Sequence, residues 1–371
     1  MIPYGHQSID KNDIRGVVKV LKSDWLTGGP KVLEFERALA KFAGANYAVA
    51  VNNGTAALHL AYLAIGIRAG DEVITTPNTF AATANMLIAI GAKPIFSDIR
   101  LDTYNIDETK IEKLITRKTK AIVPVHFSGQ PCEMEKISRL AKKHKLAVIE
   151  DACHALGAKY KNKKIGGLSN LTVFSFHPVK SITTGEGGAI LTNNEKLYKR
   201  MLLLRNHGIY KDNNGKNIMI ELGFNYRLTD LQSALGISQL KKLDGFIKKR
   251  RQIVKWYERE LSEDGNIILP REAKNVYSAW HLYVIRTKKS GRRDQLAKFL
   301  KAKGIGVNFH YPAVYSHSFY RKNGFKNFTL PNEETYHSSC LTLPCFPGLT
   351  GGQVKYIAQM AKLFFKKYSG A

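Results

Sequence analysis

Leu146-Ala147-Val148-Ile149-Glu150-Asp151 reads as a strand whose apolar run ends on two carboxylates. A short, continuous apolar run of this kind fits a strand covered on both faces. Five similar runs flank it: Tyr47-Ala48-Val49-Ala50-Val51, Glu72-Val73-Ile74-Thr75, Pro94-Ile95-Phe96-Ser97, Ala121-Ile122-Val123-Pro124-Val125 and Thr172-Val173-Phe174. Between them, segments 55–66, 79–90 and 131–144 have helix length and period. The alternation, from residue 34 to about 205, predicts an α/β fold with a mostly parallel central sheet and helices on both faces. Ligands of such sheets sit beyond the carboxyl ends of the strands, which is where Asp151 falls.

After about residue 245 the pattern changes. A long helix at roughly 246–262 leads to a strand at His281-Leu282-Tyr283-Val284-Ile285, a helix near 293–303 and a last helix near 351–367. With 371 residues, this predicts a large domain over 1–245 and a smaller α+β domain over 246–371.

Composition excludes several classes. With 44% hydrophobic and 23% charged residues the chain is ordinary globular protein. Asp10, Lys11, Asp13, Arg15 and Lys19 leave no apolar signal region near the start. The stretch from Phe80 to Ala92 is broken by Thr83 and Asn85 and is too short for a bilayer. Cys132, Cys153, Cys340 and Cys345 have neither CxxC spacing nor the density of a disulfide scaffold. The expectation is a soluble, cytoplasmic protein with no membrane partner. The net charge of +27 raises nucleic acid as a partner. Its densest run, Lys241 to Arg251, has apolar residues at helical spacing and no binding motif, so it reads as a solvated helix face, and no nucleic-acid partner is expected.

The chemistry centres on Phe174-Ser175-Phe176-His177-Pro178-Val179-Lys180, which follows a strand in surroundings poor in charge. A lysine held in an apolar site has a lowered pKa, leaving its amine free to attack an aldehyde. Asp151, at the end of another strand, could hold a protonated ring nitrogen. This amine and carboxylate are what pyridoxal phosphate (PLP) requires. Asn52-Asn53-Gly54-Thr55-Ala56-Ala57 lies between a strand and a helix, where free N–H groups favour a phosphate. Gly54 permits close backbone approach and Thr55 adds a hydroxyl, although a plain turn with a Thr cap reads the same way. Ser175 could donate to that phosphate, and His154 to the cofactor's phenolic oxygen; a capping Asp151 and a loop-satisfied His154 are the bland alternatives. Gly185-Glu186-Gly187-Gly188 is not a GxGxxG fingerprint. Walker A, HExxH and GxSxG motifs are missing, and no metal site is expected.

With these residues in hand, the chain resembles the DegT/StrS family of PLP-dependent sugar-nucleotide aminotransferases. The matching motifs are Trp25-Leu26-Thr27-Gly28-Gly29-Pro30, Asn53 to Leu58, Pro77-Asn78-Thr79-Phe80, Glu150-Asp151-Ala152-Cys153-His154-Ala155, Ser175 to Lys180, Thr184 to Gly188, Asn206-His207-Gly208 and Gly223 to Asp230. The resemblance implies PLP-dependent transferase fold type I, the aspartate-aminotransferase-like fold, and a homodimer with active sites at the subunit interface. It implies that Lys180 carries the cofactor as a covalent aldimine, with pyridoxamine phosphate as intermediate, and that Phe80 stacks on the ring. Thr55, Ala56 and Ser175 would hold the phosphate, joined by Asn225 of the other subunit. Tyr4, Trp25, Leu26, Thr27, Arg227, His310, Tyr311, Pro312 and Ala313 resemble parts of the sugar-nucleotide pocket; Trp25 and Tyr311, taken alone, read as packing residues. Lysine rather than histidine at 180 implies amino transfer rather than dehydration. Ile2-Pro3-Tyr4-Gly5, Leu26 to Val32 and Ile182 to Gly188 are most similar to the branch acting at C4 in pseudaminic acid synthesis, with L-glutamate as donor and a UDP-linked 4-keto-6-deoxy-N-acetylhexosamine as acceptor. A C3 enzyme, another C4 epimer or a dTDP sugar is the nearest rival.

Overall fold

Seven strands form the main sheet of the computed structural model, which describes residues 1–289 and 291–368. They are β1 (Tyr47–Val51), β2 (Glu72–Thr75), β3 (Lys93–Phe96), β4 (Thr119–Val123), β5 (Ala147–Asp151), β6 (Leu171–Ser175) and β7 (Gly188–Thr192), in the spatial order β1-β7-β6-β5-β4-β2-β3. Four neighbouring pairs are parallel, whereas β7 runs antiparallel to both β1 and β6. The sheet is therefore mostly parallel, as the sequence predicts, but β7 is an addition. It follows directly on a glycine-rich turn and reads as part of it. Gly188 marks the reason for that turn: a Cβ there would lie 2.6 Å from the Asn53 carbonyl oxygen.

Side chains alternate across the sheet, so both faces are buried. On one face Ala50, Ile74, Ile122, Val148, Phe174 and Leu191 pack with helices α1 (Pro30–Ala43) and, further along, Met134–Lys143. On the other, Val49, Val73, Val123, Ile149, Val173 and Ile190 pack with α2 (Gly54–Ile65) and α3 (Ala82–Ala89), together with Met201 and Leu204 of Glu195–Arg205. Helix α2 begins where the Asn53 side chain accepts the Ala56 N–H at 2.7 Å, and it ends at Gly66 in the left-handed conformation. Its start is thereby fixed at the carboxyl end of β1.

A second, antiparallel sheet joins Ile267–Ile268, Tyr283–Thr287 and Cys340–Leu343. Ile253, Tyr257, Tyr283, Leu296, Leu341, Ile357 and Phe364 build a separate core on it. The expected strand at 281–285 lies two residues later, and the strand at 340–343 has no counterpart in the sequence reading. Ile2 bridges Ile305 in this region, so the chain start is tied to the second core. Helix α4 (Leu243–Leu261) contributes Leu243 and Ile247 to the first core and Ile253, Val254, Tyr257 and Leu261 to the second. Of the expected 246–371 segment, Ser290 and residues 369–371 lie outside the described residues.

One charged residue departs from the solvated-face expectation. Arg250, in the basic run, is fully buried and donates to the carbonyl oxygens of His281 at 2.9 Å and Cys345 at 2.5 Å. Desolvation pulls its pKa down, and the carbonyls take up Nη1 of a guanidinium that has lost its water, while its buried Nε has no partner. Among the described residues no helix is long and apolar enough to cross a membrane.

The helix Asp230–Leu240 crosses α1 at Gly236, where an added Cβ would meet ring carbons of Phe35 at 2.6, 2.7 and 3.0 Å. Phe35 is fully buried and packs edge-on against Phe176 at 5.3 Å, so it has nowhere to move. Gly236→Ala gains about 1 kcal/mol of helix propensity but overpacks this contact by ~1–3 kcal/mol. Urea denaturation should show net destabilisation; a stabilised variant would mean that the helices separate freely.

Candidate active site

The β5 and β6 ends lie side by side, pairing through Asp151 and Val173, and chemistry gathers just beyond them. Asp151 is 5% exposed, and its backbone accepts from His126 N–H and donates to the Pro124 carbonyl. Two donors converge on its carboxylate: the Thr83 hydroxyl on Oδ2 at 2.7 Å and the Cys153 N–H on Oδ1 at 3.2 Å.

Lys180 follows β6 in a turn closed by its N–H to the His177 carbonyl at 2.9 Å. The residue is partly buried, yet its amine end is withdrawn from water. Desolvation drives its pKa below the ordinary lysine value, and the nearby Cys153 and Asp151 oppose that fall. Burial also pushes the Cys153 thiol well up, so it stays protonated beside the aspartate.

His154 is buried and neutral, because desolvation first, and then the charge on Lys180, holds its pKa well below the ordinary value. The Ser128 N–H donates to Nδ1 at 3.3 Å, so Nε2 carries the proton and donates to the Tyr311 hydroxyl at 3.1 Å. Both ring nitrogens are thus engaged within the protein, and reaching a phenolic oxygen would require Nε2 to leave Tyr311. His281 lies against the same ring at 4.4 Å. His310 bonds Thr342 Oγ1 through Nδ1 at 2.8 Å, and burial pushes its pKa down to about 3. Phe80 stands 62% exposed at the edge of this cluster, its ring centre 6.1 Å from that of Tyr311.

The turn before α2 abuts the same strand ends. A Cβ on Gly54 would lie 3.0 Å from Ser175 Cβ and 3.5 Å from Cys153 Sγ, so glycine lets these side chains close on the turn. The first helical N–H groups have no intrahelical acceptor. Asn53 takes that of Ala56, leaving those of Gly54 and Thr55 for a ligand. An amine, a donor-stabilised carboxylate and an open helix N-terminus are the donor set that PLP needs, and the residues present fit it.

The remaining expected residues divide. Tyr4 joins the cluster, its ring centre 5.6 Å from His310, and a Cβ on Gly5 would touch Val179. Pro312 is partly buried, whereas Ala313 is 1% exposed and packs with Ala84 and Phe96. Trp25 and Leu26 stand exposed, and Thr27 bridges Thr229. Asn225 bridges Asn206, and Arg227 donates to the Asn206 side chain at 2.6 Å. None of the described contacts joins Trp25, Asn225 or Arg227 to Lys180 or Asp151. Sequence reading misses Thr83 as a site residue; a polar side chain on the buried side of an apolar helix is the signal that marks it.

This sheet, with a lysine and an aspartate at adjoining strand ends, has the fold of the PLP-dependent transferases. The chain belongs to the DegT/DnrJ/EryC1/StrS aminotransferase family, whose model matches residues 7–362. It is 44% identical over 362 residues to the UDP-4-amino-4,6-dideoxy-N-acetyl-beta-L-altrosamine transaminase of Campylobacter jejuni, covering 96% of each chain. The solved structure of Helicobacter pylori PseC, an aminotransferase of pseudaminic acid biosynthesis, superposes with a TM-score of 0.95 at 37% identity, covering 99% of this chain and 100% of that one. The PLP-form of the sugar aminotransferase Spr1654 from Streptococcus pneumoniae does so at 0.93 with 29% identity, covering 99% of both chains.

A lowered pKa leaves more of the Lys180 amine neutral at neutral pH than that of a surface lysine. In cofactor-free protein treated with formaldehyde and cyanoborohydride at pH 7, peptide mapping should find Lys180 methylated ahead of exposed lysines such as Lys248. Equal labelling would show that the amine keeps an ordinary pKa.

Proposed function

We propose that this protein is a PLP-dependent aminotransferase that moves an amino group from L-glutamate to the C4 ketone of a UDP-4-keto-6-deoxy-N-acetylhexosamine, a step of pseudaminic acid synthesis. The observation that carries the reading is the partly buried Lys180, in the turn after β6, within electrostatic reach of the Asp151 carboxylate at the end of the adjoining strand. The names and full-length coverage of its relatives support the choice of sugar.

Lys180 would hold the cofactor through its amine. Asp151 would hold the ring nitrogen, the free Gly54 and Thr55 N–H groups with the Thr55 and Ser175 hydroxyls would hold the phosphate, and Phe80 would cover the ring. Ala56, its N–H already held by Asn53, would shape the turn by packing. When bound, PLP supplies the electron sink that stabilises negative charge at the substrate carbon. Lys180, once released, is the base that takes the proton from glutamate's α-carbon and returns one to the sugar carbon. Asp151 would balance the charge of the ring.

A homodimer completes this reading. Ile14, Val18, Leu21, Trp25, Leu26, Met219, Ile220 and Leu222 are exposed apolar side chains that a second copy would cover. Covering them with a second copy would bring Asn225 and Arg227 to the neighbour's cofactor and sugar nucleotide. Tyr4, His310 and Tyr311 would then face the sugar from the same chain as Lys180. The expected location is the cytoplasm.

Purified protein supplied with PLP should turn yellow, and the band should bleach on adding L-glutamate. Lys180→Ala should lose the bleaching and roughly 10²–10⁴-fold or more of the turnover; substantial residual turnover would give the proton transfer to another group. Mass spectrometry and NMR of products from a panel of UDP- and dTDP-linked 4-keto and 3-keto sugars test the sugar. Amination at C3, or of a dTDP sugar alone, would sink the substrate assignment while leaving the enzyme class intact.

A further inference from the structure

The carboxylate at the centre of the site does not stand alone. The Thr83 hydroxyl has one proton and two acceptors, Asp151 Oδ2 at 2.7 Å and the Phe80 carbonyl at 3.3 Å. The shorter bond to the charged acceptor takes it. Thr79 Oγ1 lies 2.7 Å from Thr83 Oγ1. Since Thr83 has already given its proton, Thr79 must donate in that pair. The result is a one-way chain, Thr79 to Thr83 to Asp151, with all three side chains 5% exposed or less.

The scaffold fixes this chain. Thr79 and Thr83 are four residues apart, so they share one side of the turn that leads into α3. Thr83 N–H bonds the Phe80 carbonyl, and the Tyr62 hydroxyl donates to the Thr83 carbonyl at 2.9 Å from α2. Asn78 Nδ2 anchors the preceding residue to the Tyr104 carbonyl at 3.0 Å. A hydroxyl held at both ends cannot turn away from the carboxylate.

We infer that Thr83, oriented by Thr79, is a positioning residue that aims the Asp151 carboxylate and holds its negative charge toward the ring nitrogen of a bound pyridine cofactor. The inference rests on the PLP reading above. Two donors hold the carboxylate in one direction, so that it would meet the ring N–H as an acceptor. Removing the Thr83 hydroxyl would leave Oδ2 without its donor and the carboxylate free to turn, and the ring nitrogen would then hold its proton less firmly. The ring then accepts electrons less well, although nothing that touches substrate has changed.

The test compares holoenzyme of the wild type, Thr83→Val, Thr83→Ser and Thr79→Val, each loaded with PLP labelled with 15N in the ring. Valine keeps the shape of threonine and removes the hydroxyl, both the donor to Asp151 and the acceptor of Thr79. The ring-nitrogen resonance of Thr83→Val should move from the protonated toward the unprotonated position. The single-turnover rate with L-glutamate should fall about tenfold, the scale of one charge-assisted hydrogen bond. Thr83→Ser should restore both, and Thr79→Val should lie between. A Thr83→Val enzyme with wild-type resonance and rate overturns the inference, as does a serine variant as damaged as the valine one. Should Thr83→Val fail to fold, Thr79→Val decides, because it leaves the Thr83 hydroxyl in place without its donor; an unchanged resonance there overturns the inference. Wild-type protein that takes up no PLP overturns the proposed function and this inference with it, whereas uptake with indifferent variants overturns this inference alone.

Discussion

A carboxylate withdrawn from water is the constraint on which the rest of the site depends. A buried charge is costly unless hydrogen-bonded or paired. Asp151 meets that demand with the Thr83 hydroxyl and the Cys153 N–H, and with a lysine close enough to be felt electrostatically. The same demand explains why β5 stops where it does. Val148 and Ile149 are buried on opposite faces, and the first carboxylate, Glu150, is held from a different side by His126, Ser169 and Thr172. Two adjacent acids therefore serve two faces. Glu150 ties β5 to its neighbours beneath the sheet, leaving Asp151 free to point into the site.

Desolvation acts on the lysine in the opposite sense. Burial that makes a carboxylate costly also disfavours the ammonium, so the pocket weakens the proton's hold on Lys180. The neighbouring histidines do not offset this by adding charge, since His154, His281 and His310 are all held neutral by burial. The site is thus a low-charge enclosure with one carboxylate, one amine and several neutral donors.

Much of this was legible in the chain. Unbroken apolar runs announced six of the seven main strands, because burial on both faces leaves no alternation to confuse the reading. Lys180 and Asp151 stood out since charges are scarce around them. What escaped reading depends on partners far away in sequence. β7 is a strand only because β1 and β6 receive it from both sides, and Thr83 matters only because β5 brings Asp151 to it across 68 residues. Arg250 looked like its exposed neighbours, and nothing local reveals that the carbonyls of His281 and Cys345 wait for it. The tautomer of His154 was equally hidden, being set by a backbone N–H from Ser128.

Helix α4 gives the two cores a common fate. Its first turns lie in one and its later turns in the other, with no break between Leu243 and Leu261. Melting either core would strip half of the helix of its packing and expose the apolar side chains it had covered. Heat or denaturant should therefore find a single cooperative block rather than two modules that come apart in turn, and a proteolytic cut inside α4 would release no independently stable half.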